Sequence, residues 1–210
     1  MERDEAAIAR WIEKDWPRIK RLARRRQAHL VFIDETGFLL SPLVRRTWAP
    51  RGQTPVMRQR TRHHRRVSAI GGLSISPKRR RLGWYLHFHL DRSIRQEQVI
   101  DFLRDLLGHL DGPIIVVWDR LAAHRSKMLR VWLRRCRRVH LESLPGYAPE
   151  LNPNEYGWAY LKGNPLANYC PQEAEQLHAR VMLASREVAS QQTLLRSFVH
   201  ATNLPIRFSL

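Results

Sequence analysis

The sequence predicts an α/β domain built around a mixed sheet. Three observations carry that reading. Two short unbroken apolar runs, Leu30-Val31-Phe32-Ile33 and Ile114-Ile115-Val116-Val117-Trp118, each end at a carboxylate; two alternating segments are joined by a basic turn; amphipathic helical stretches surround them. The 210 residues, 43% hydrophobic, suffice for one substantial core.

From Asp4 to Lys14, Ile8, Trp11 and Ile12 recur at helical spacing, and Pro17 opens a second short helix carrying Arg18, Lys20, Arg21, Arg24, Arg25 and Arg26. The run at Leu30 suits a central strand covered on both faces, with Asp34 and Glu35 at its C-terminal end. Thr47 to Arg66 holds Pro50, Gly52 and Pro55, then arginines and histidines, the composition of a long excursion or hairpin. Val67 to Ser76 and Leu82 to Leu90 alternate, the second with Leu82, Trp84, Leu86, Phe88 and Leu90 on one face, and Pro77-Lys78-Arg79-Arg80-Arg81 joins them as an antiparallel pair. Tyr85, His87 and His89 share the other face. Two histidines so spaced can hold a metal, but polar alternation on a covered or solvated face is the simpler account.

Val99, Phe102, Leu103, Leu106, Leu107 and Leu110 form one stripe of a helix that ends near Gly108 and Gly112. Pro113 then introduces the second apolar run, which stops at Asp119. Ser126 caps the next helix, with Leu129, Trp132, Leu133 and Cys136 inside and Arg130, Arg134, Arg135 and Arg137 outside. Val139 and Leu141 mark a last short strand. Pro145, Pro149 and Pro153 break the chain before a helix beginning near Asn154, and one or two further helices fill Pro171 to His200. This order places antiparallel strands first and crossover-connected parallel strands later.

The 37 Lys and Arg against 19 Asp and Glu leave a net charge of +18, which calls for a polyanionic partner, nucleic acid foremost. No apolar run approaches the roughly 20 residues of a spanning helix, and the N-terminus has no signal-peptide pattern, so a soluble, intracellular protein without a membrane partner is expected. Cys136 and Cys170 have neither disulfide-framework nor zinc-site spacing and read as buried free thiols.

Asp34 and Asp119, at the ends of central strands, can be neighbours in a parallel sheet, and Glu155 opens a helix. Three carboxylates gathered together repel one another unless divalent cations neutralise them, and hard oxygen ligands favour Mg²⁺ or Mn²⁺ over zinc. Two such ions ~3.5–4 Å apart drive in-line displacement at phosphorus. Asp34 would bridge both, with Asp119 and Glu155 each holding one. On spacing alone, ordinary strand-end carboxylates explain the pattern equally well.

The words around these acids are more specific. Val31-Phe32-Ile33-Asp34-Glu35-Thr36-Gly37-Phe38, Arg46-Thr47-Trp48-Ala49-Pro50-Arg51-Gly52-Gln53-Thr54-Pro55, Val117-Trp118-Asp119-Arg120 through His124, and Leu144-Pro145-Gly146-Tyr147-Ala148-Pro149-Glu150-Leu151-Asn152-Pro153-Asn154-Glu155-Tyr156 together resemble insertion-sequence transposases of the mariner-related superfamily. The resemblance spans nearly the whole chain and implies an RNase H-like fold, a mixed sheet flanked by helices. It also implies a catalytic and metal-holding DDE triad at Asp34, Asp119 and Glu155, with 35 residues between the last two.

Glu35 points away from Asp34 by strand alternation and Glu150 precedes the helix, so both are given structural or supporting roles. Trp158 and Lys162 share the helical face of Glu155, the first to pack beneath the site and the second to meet a phosphate; Arg46, Arg51 and His124 are further candidates for DNA contact. The implied function is phosphodiester hydrolysis at transposon ends followed by attack of the freed 3′-hydroxyl on target DNA, with a TA target and a homodimer on DNA. The alternatives are an inactive relative that binds DNA without sequence preference and a nuclease of the same fold. Residues 1–28 then form a basic helical lead-in to an N-terminal helix-turn-helix region or companion reading frame, and residues 29–210 the catalytic domain. The expected location is the bacterial cytoplasm, at the nucleoid.

Overall fold

The computed structural model describes residues 3–41, 43–57, 65–119 and 126–208. Its strands are β1 (His29–Leu39), β2 (Arg66–Ile75), β3 (Leu82–Leu90), β4 (Ile114–Trp118) and β5 (Val139–Ser143). They form one sheet in the order β3-β2-β1-β4-β5, with β3, β2 and β1 antiparallel in succession and β1, β4 and β5 parallel.

The helices are α1 (Glu5–Arg10), α2 (Trp16–Arg26), α3 (Gln96–His109), α4 (Lys127–Arg135), α5 (Pro153–Gly163), α6 (Ala174–Ser190) and α7 (Gln192–Ala201). Alternation along β1 divides them between two faces. Leu30 and Phe32 join a core with Trp16, Ile19, Trp158, Val181 and Leu195, whereas Val31 and Ile33 join one with Phe102, Leu103, Leu106 and Leu129. Both faces of β1 and β4 are therefore covered, which is why their sequences show no polar alternation.

Two elements differ from the sequence reading. The N-terminal helices are not separate: a π-helical turn, Trp11–Asp15, runs directly into α2, with the Trp16 N–H bonded to the Trp11 carbonyl. The widened turn precedes Pro17, which has no N–H to give the ladder, so the rod continues past a residue that ordinarily ends one. Strand β1 does not end at the acidic pair either. It continues to Leu39, because β2 accompanies it to the pair Leu39↔Arg66 after β4 has stopped at Phe32↔Val117.

The polar face of β3 is a covered one. His87 meets Phe102 edge to face at 5.2 Å and lies 3.1 Å from Asp105, while Tyr85 packs on His109 at 5.6 Å. Cys136 and Cys170 are free thiols, half-buried rather than buried. Among the described residues no helix is long and apolar enough to cross a membrane.

Candidate active site

Strands β1 and β4 cease to pair just before the two aspartates. Their pairing ends at Phe32↔Val117, and continuing that register two residues puts Asp34 level with Asp119. Alternation places both on the face of Phe32 and Val117, the side on which α5 packs. Asp34 remains paired with Gly71 of β2 and is 8% exposed.

Helix α5 delivers the third acid. Asn152 caps it by accepting from the Asn154 N–H at 3.1 Å, and Glu155 lies in its first turn, where the helix dipole favours a carboxylate. The same two asparagines fasten the helix start to β1 just before Asp34. Asn152 donates to the Ile33 carbonyl at 3.1 Å and Asn154 to the Phe32 carbonyl at 2.8 Å, while Asn154 Oδ1 accepts from Trp84 Nε1 at 2.9 Å. Asn154 is fully buried.

One turn later, Trp158 lies beneath the cleft, 2% exposed, and its Nε1 donates to Asp34 Oδ2 at 2.9 Å. Its ring fits because β2 carries Gly71 opposite Asp34: a Cβ there would stand 2.7 Å from the indole. Trp84 and Phe38 close the ring in at centroid distances of 5.2 and 6.1 Å. One further turn along, Lys162 Nζ donates to Thr36 Oγ1 at 2.7 Å and sits 5.4 Å from the Phe38 ring centroid.

The acids feel one another. Burial, then the charges of Glu155 and Glu35, push the Asp34 carboxyl from its ordinary 3.8 up to about 8; the Trp158 hydrogen bond opposes this and Asp119 adds to it. Burial also raises Glu155, with Lys162 opposing and Asp119 reinforcing the rise. Burial lowers Lys162 against the pull of Glu155 and Asp34. The cleft thus brings carboxylates close enough for their charges to disfavour one another's ionised forms.

Such a donor set of hard carboxylate oxygens fits a divalent cation. Among the described residues no three His, Cys, Asp or Glu side chains stand close enough together to hold one ion. Mg²⁺ is an ion that one or two carboxylates can bind, with water and substrate oxygens as its other ligands.

The other sequence candidates lie as follows. Glu35 is half-buried on the strand position facing α3, and Glu150 is held by Arg3 at 2.6 Å. Arg46 and Arg51 are exposed in a stretch without regular secondary structure, and His124 lies outside the described residues. Sequence reasoning missed Asn152 and Asn154 as the anchors of α5, the Trp158 bond to Asp34, and Thr36. The Asn-Pro-Asn spacing ahead of Glu155 was the available signal for the anchors; the helical face of Trp158 gave its place beneath the site but not its bond to Asp34, and Thr36 carried none.

Residues 29–178 match the family model described as DDE superfamily endonuclease. The chain belongs to this family. Among solved structures, this DDE-family chain is similar to the mariner Mos1 paired end complex with Mg, at TM-score 0.65 and 18% identity over 97% of this chain and 62% of that one. It is also similar to the Mos1 strand transfer complex, at TM-score 0.63 and 19% identity over 96% and 60%. The catalytic domain of Mos1 alone matches at TM-score 0.51 and 15% identity over 99% and 98%. At such identities the likeness is one of fold, and the five-stranded sheet flanked by helices is RNase H-like. The chain spans about 60% of the length of the Mos1 chain in the strand transfer complex. No curated protein sequence matches it.

Proposed function

We propose that this chain is the catalytic domain of a DDE transposase, cutting a phosphodiester at a transposon end and joining the freed 3′-hydroxyl to target DNA. The observation that supports this reading is that β1 and the start of α5 bring Glu155 and Asp119 near enough for their charges to bear on the buried Asp34 carboxyl, which stands at about 8.

In this reading Asp34, Asp119 and Glu155 would hold two divalent cations, Mg²⁺ or Mn²⁺. When bound, such ions activate the attacking oxygen and stabilise the leaving oxygen of an in-line displacement at phosphorus. The remaining side chains orient the participants. Trp158 Nε1 donates to one oxygen of Asp34 and so restrains the carboxylate's rotamer, leaving Oδ1 for a further partner. Lys162, steadied by Thr36, supplies a cation beside Glu155 and Asp34 for a non-reacting phosphate oxygen. Arg46, Arg51 and His124 extend the contact to the DNA backbone.

The complexes matched include a Mos1 paired end complex. Joining two ends calls for two active sites, so this chain is proposed to work as a homodimer on double-stranded DNA in the cytoplasm, at the nucleoid. Residues 1–28 would lead from a helix-turn-helix region or companion reading frame into the catalytic unit of residues 29–210.

The test is nicking of supercoiled plasmid at low salt with Mn²⁺, comparing the chain with Asp34→Ala and Asp119→Ala. Metal-dependent nicking that disappears in both variants is expected. Nicking that survives either substitution would reject the assignment.

A further inference from the structure

A basic concavity lies at the opposite end of β1 from the carboxylates. A cavity of about 420 Å³ is bounded there by the C-terminal end of α2, the β2–β3 turn and the C-terminal tail. Arg24, Lys78, Arg79 and Arg207 line it together with Gln27 and Ser76, and no acidic side chain does. None of the four cations forms an ion pair among the described residues. Four like charges around one concavity repel one another, and a phosphate-bearing anion relieves that repulsion.

The rim is built rather than incidental. Arg79 stands in the left-handed region at φ 54, with its N–H bonded to the Ser76 carbonyl at 2.8 Å; Ser76 Oγ accepts from the N–H groups of Arg80 and Arg81 at 3.2 and 3.1 Å. Lys20 ties down the tail by donating to the Pro205 carbonyl at 2.8 Å, two residues before Arg207. The Lys20 ammonium lies below its usual range, through burial first and then through the charge of Arg79, as expected where positive charge lacks a partner.

Leu30, which lines the cavity, and Asp34 are four residues apart on β1, about 13 Å along the strand. Trp16 and Phe32 fill the core on that face. A phosphate in this cavity is therefore not the one at the carboxylates.

We propose that this cavity is a second nucleic-acid site, holding the phosphate backbone of a duplex segment distinct from the one in the catalytic cleft. It deepens the reading of the chain as a DNA-processing enzyme, but it rests on charge and shape alone.

The test measures binding of a short mixed-sequence duplex without metal, over a range of salt, so the outcome does not depend on the triad. The triple variant Arg24→Gln, Lys78→Gln, Arg79→Gln is compared with Arg130→Gln, Arg134→Gln, Arg135→Gln, which removes the same charge from the exposed face of α4. All six substitutions are on half-buried or exposed residues, and melting curves check the fold. The log–log salt slope should shrink by about 0.9 for each lost phosphate contact, and more in the cavity variant than in the α4 variant. Equal slopes in the two variants, or no change in the cavity variant, would overturn the proposal. So would a cavity variant that keeps its duplex affinity and loses binding only to phosphatidylserine vesicles.

Discussion

Asp34 is the residue on which the cleft's electrostatics turn. In the unfolded chain its carboxyl ionises near 3.8, whereas burial and its neighbours hold it at about 8 in the fold. Below about pH 4 both states carry the proton. Between 4 and 8 the unfolded chain releases it and the fold does not, so the native state loses stability as pH rises, and the loss is complete above 8. Metal-free Asp34→Asn should therefore melt higher than the parent at pH 8 and nearly with it at pH 4, where each kcal/mol is worth roughly 2–4 °C. Mn²⁺ should raise the parent's melting temperature at pH 8 and leave the Asn variant's unchanged. A parent no less stable at pH 8 than Asp34→Asn would contradict the burial of that charge. Trp158→Phe keeps most of the ring and removes the donor to Asp34 Oδ2. It should weaken Mn²⁺ activation of nicking about 10–100-fold, with the rate recovering at saturating metal. A rate loss that metal does not restore would assign Trp158 to packing alone.

At the scale of the element, the junction between β1 and the start of α5 holds the site together. Asn154 connects Phe32, Asn152 and Trp84 from a fully buried position. Asn154→Ala strips the Phe32 carbonyl and the Trp84 indole of their partners, and a buried unpaired group costs about 1–3 kcal/mol. A loss of about 3 kcal/mol or more in urea unfolding is expected, while an exposed alanine substitution on α6 should change stability by under about 0.5 kcal/mol. Gly71→Ala tests the same junction from below. Its Cβ would meet the Trp158 ring at 2.7 Å, and overpacking of that kind costs about 1–3 kcal/mol. Gly37→Ala, on β1 with open space at its Cβ, is the control expected to be near neutral.

Across the whole molecule, the N-terminal rod shares the core of the α5 face. Trp16 and Ile19 are fully buried, and Trp16 packs against Phe32 at 5.9 Å. Trp11 Nε1 also donates to the Ser143 carbonyl at the end of β5. Trp16→Ala should cost about 3–5 kcal/mol and lower one cooperative transition, not split off a second. A separate early transition would instead mark the rod as an independent appendage.

The sequence by itself determined the class of fold and the positions of the strands, because these are written in short-range patterns of unbroken apolar runs and period-two alternation, while the proposed acids Asp34, Asp119 and Glu155 came from the resemblance of the words around them. Tertiary structure decided what such patterns do not encode. Strand β1 runs past Asp34 because β2 continues to pair with it, and polar Glu35-Thr36-Gly37 hid that continuation. The N-terminal helices merge through a π turn in which the Trp16 N–H bonds the Trp11 carbonyl just ahead of Pro17. Trp158 reaches Asp34 and Asn154 reaches Phe32 over separations of 124 and 122 residues, contacts that exist only once the sheet has placed β1 beside α5. The raised carboxyl of Asp34 has the same origin, since burial and neighbouring charge belong to the folded cleft and to no segment of the chain alone.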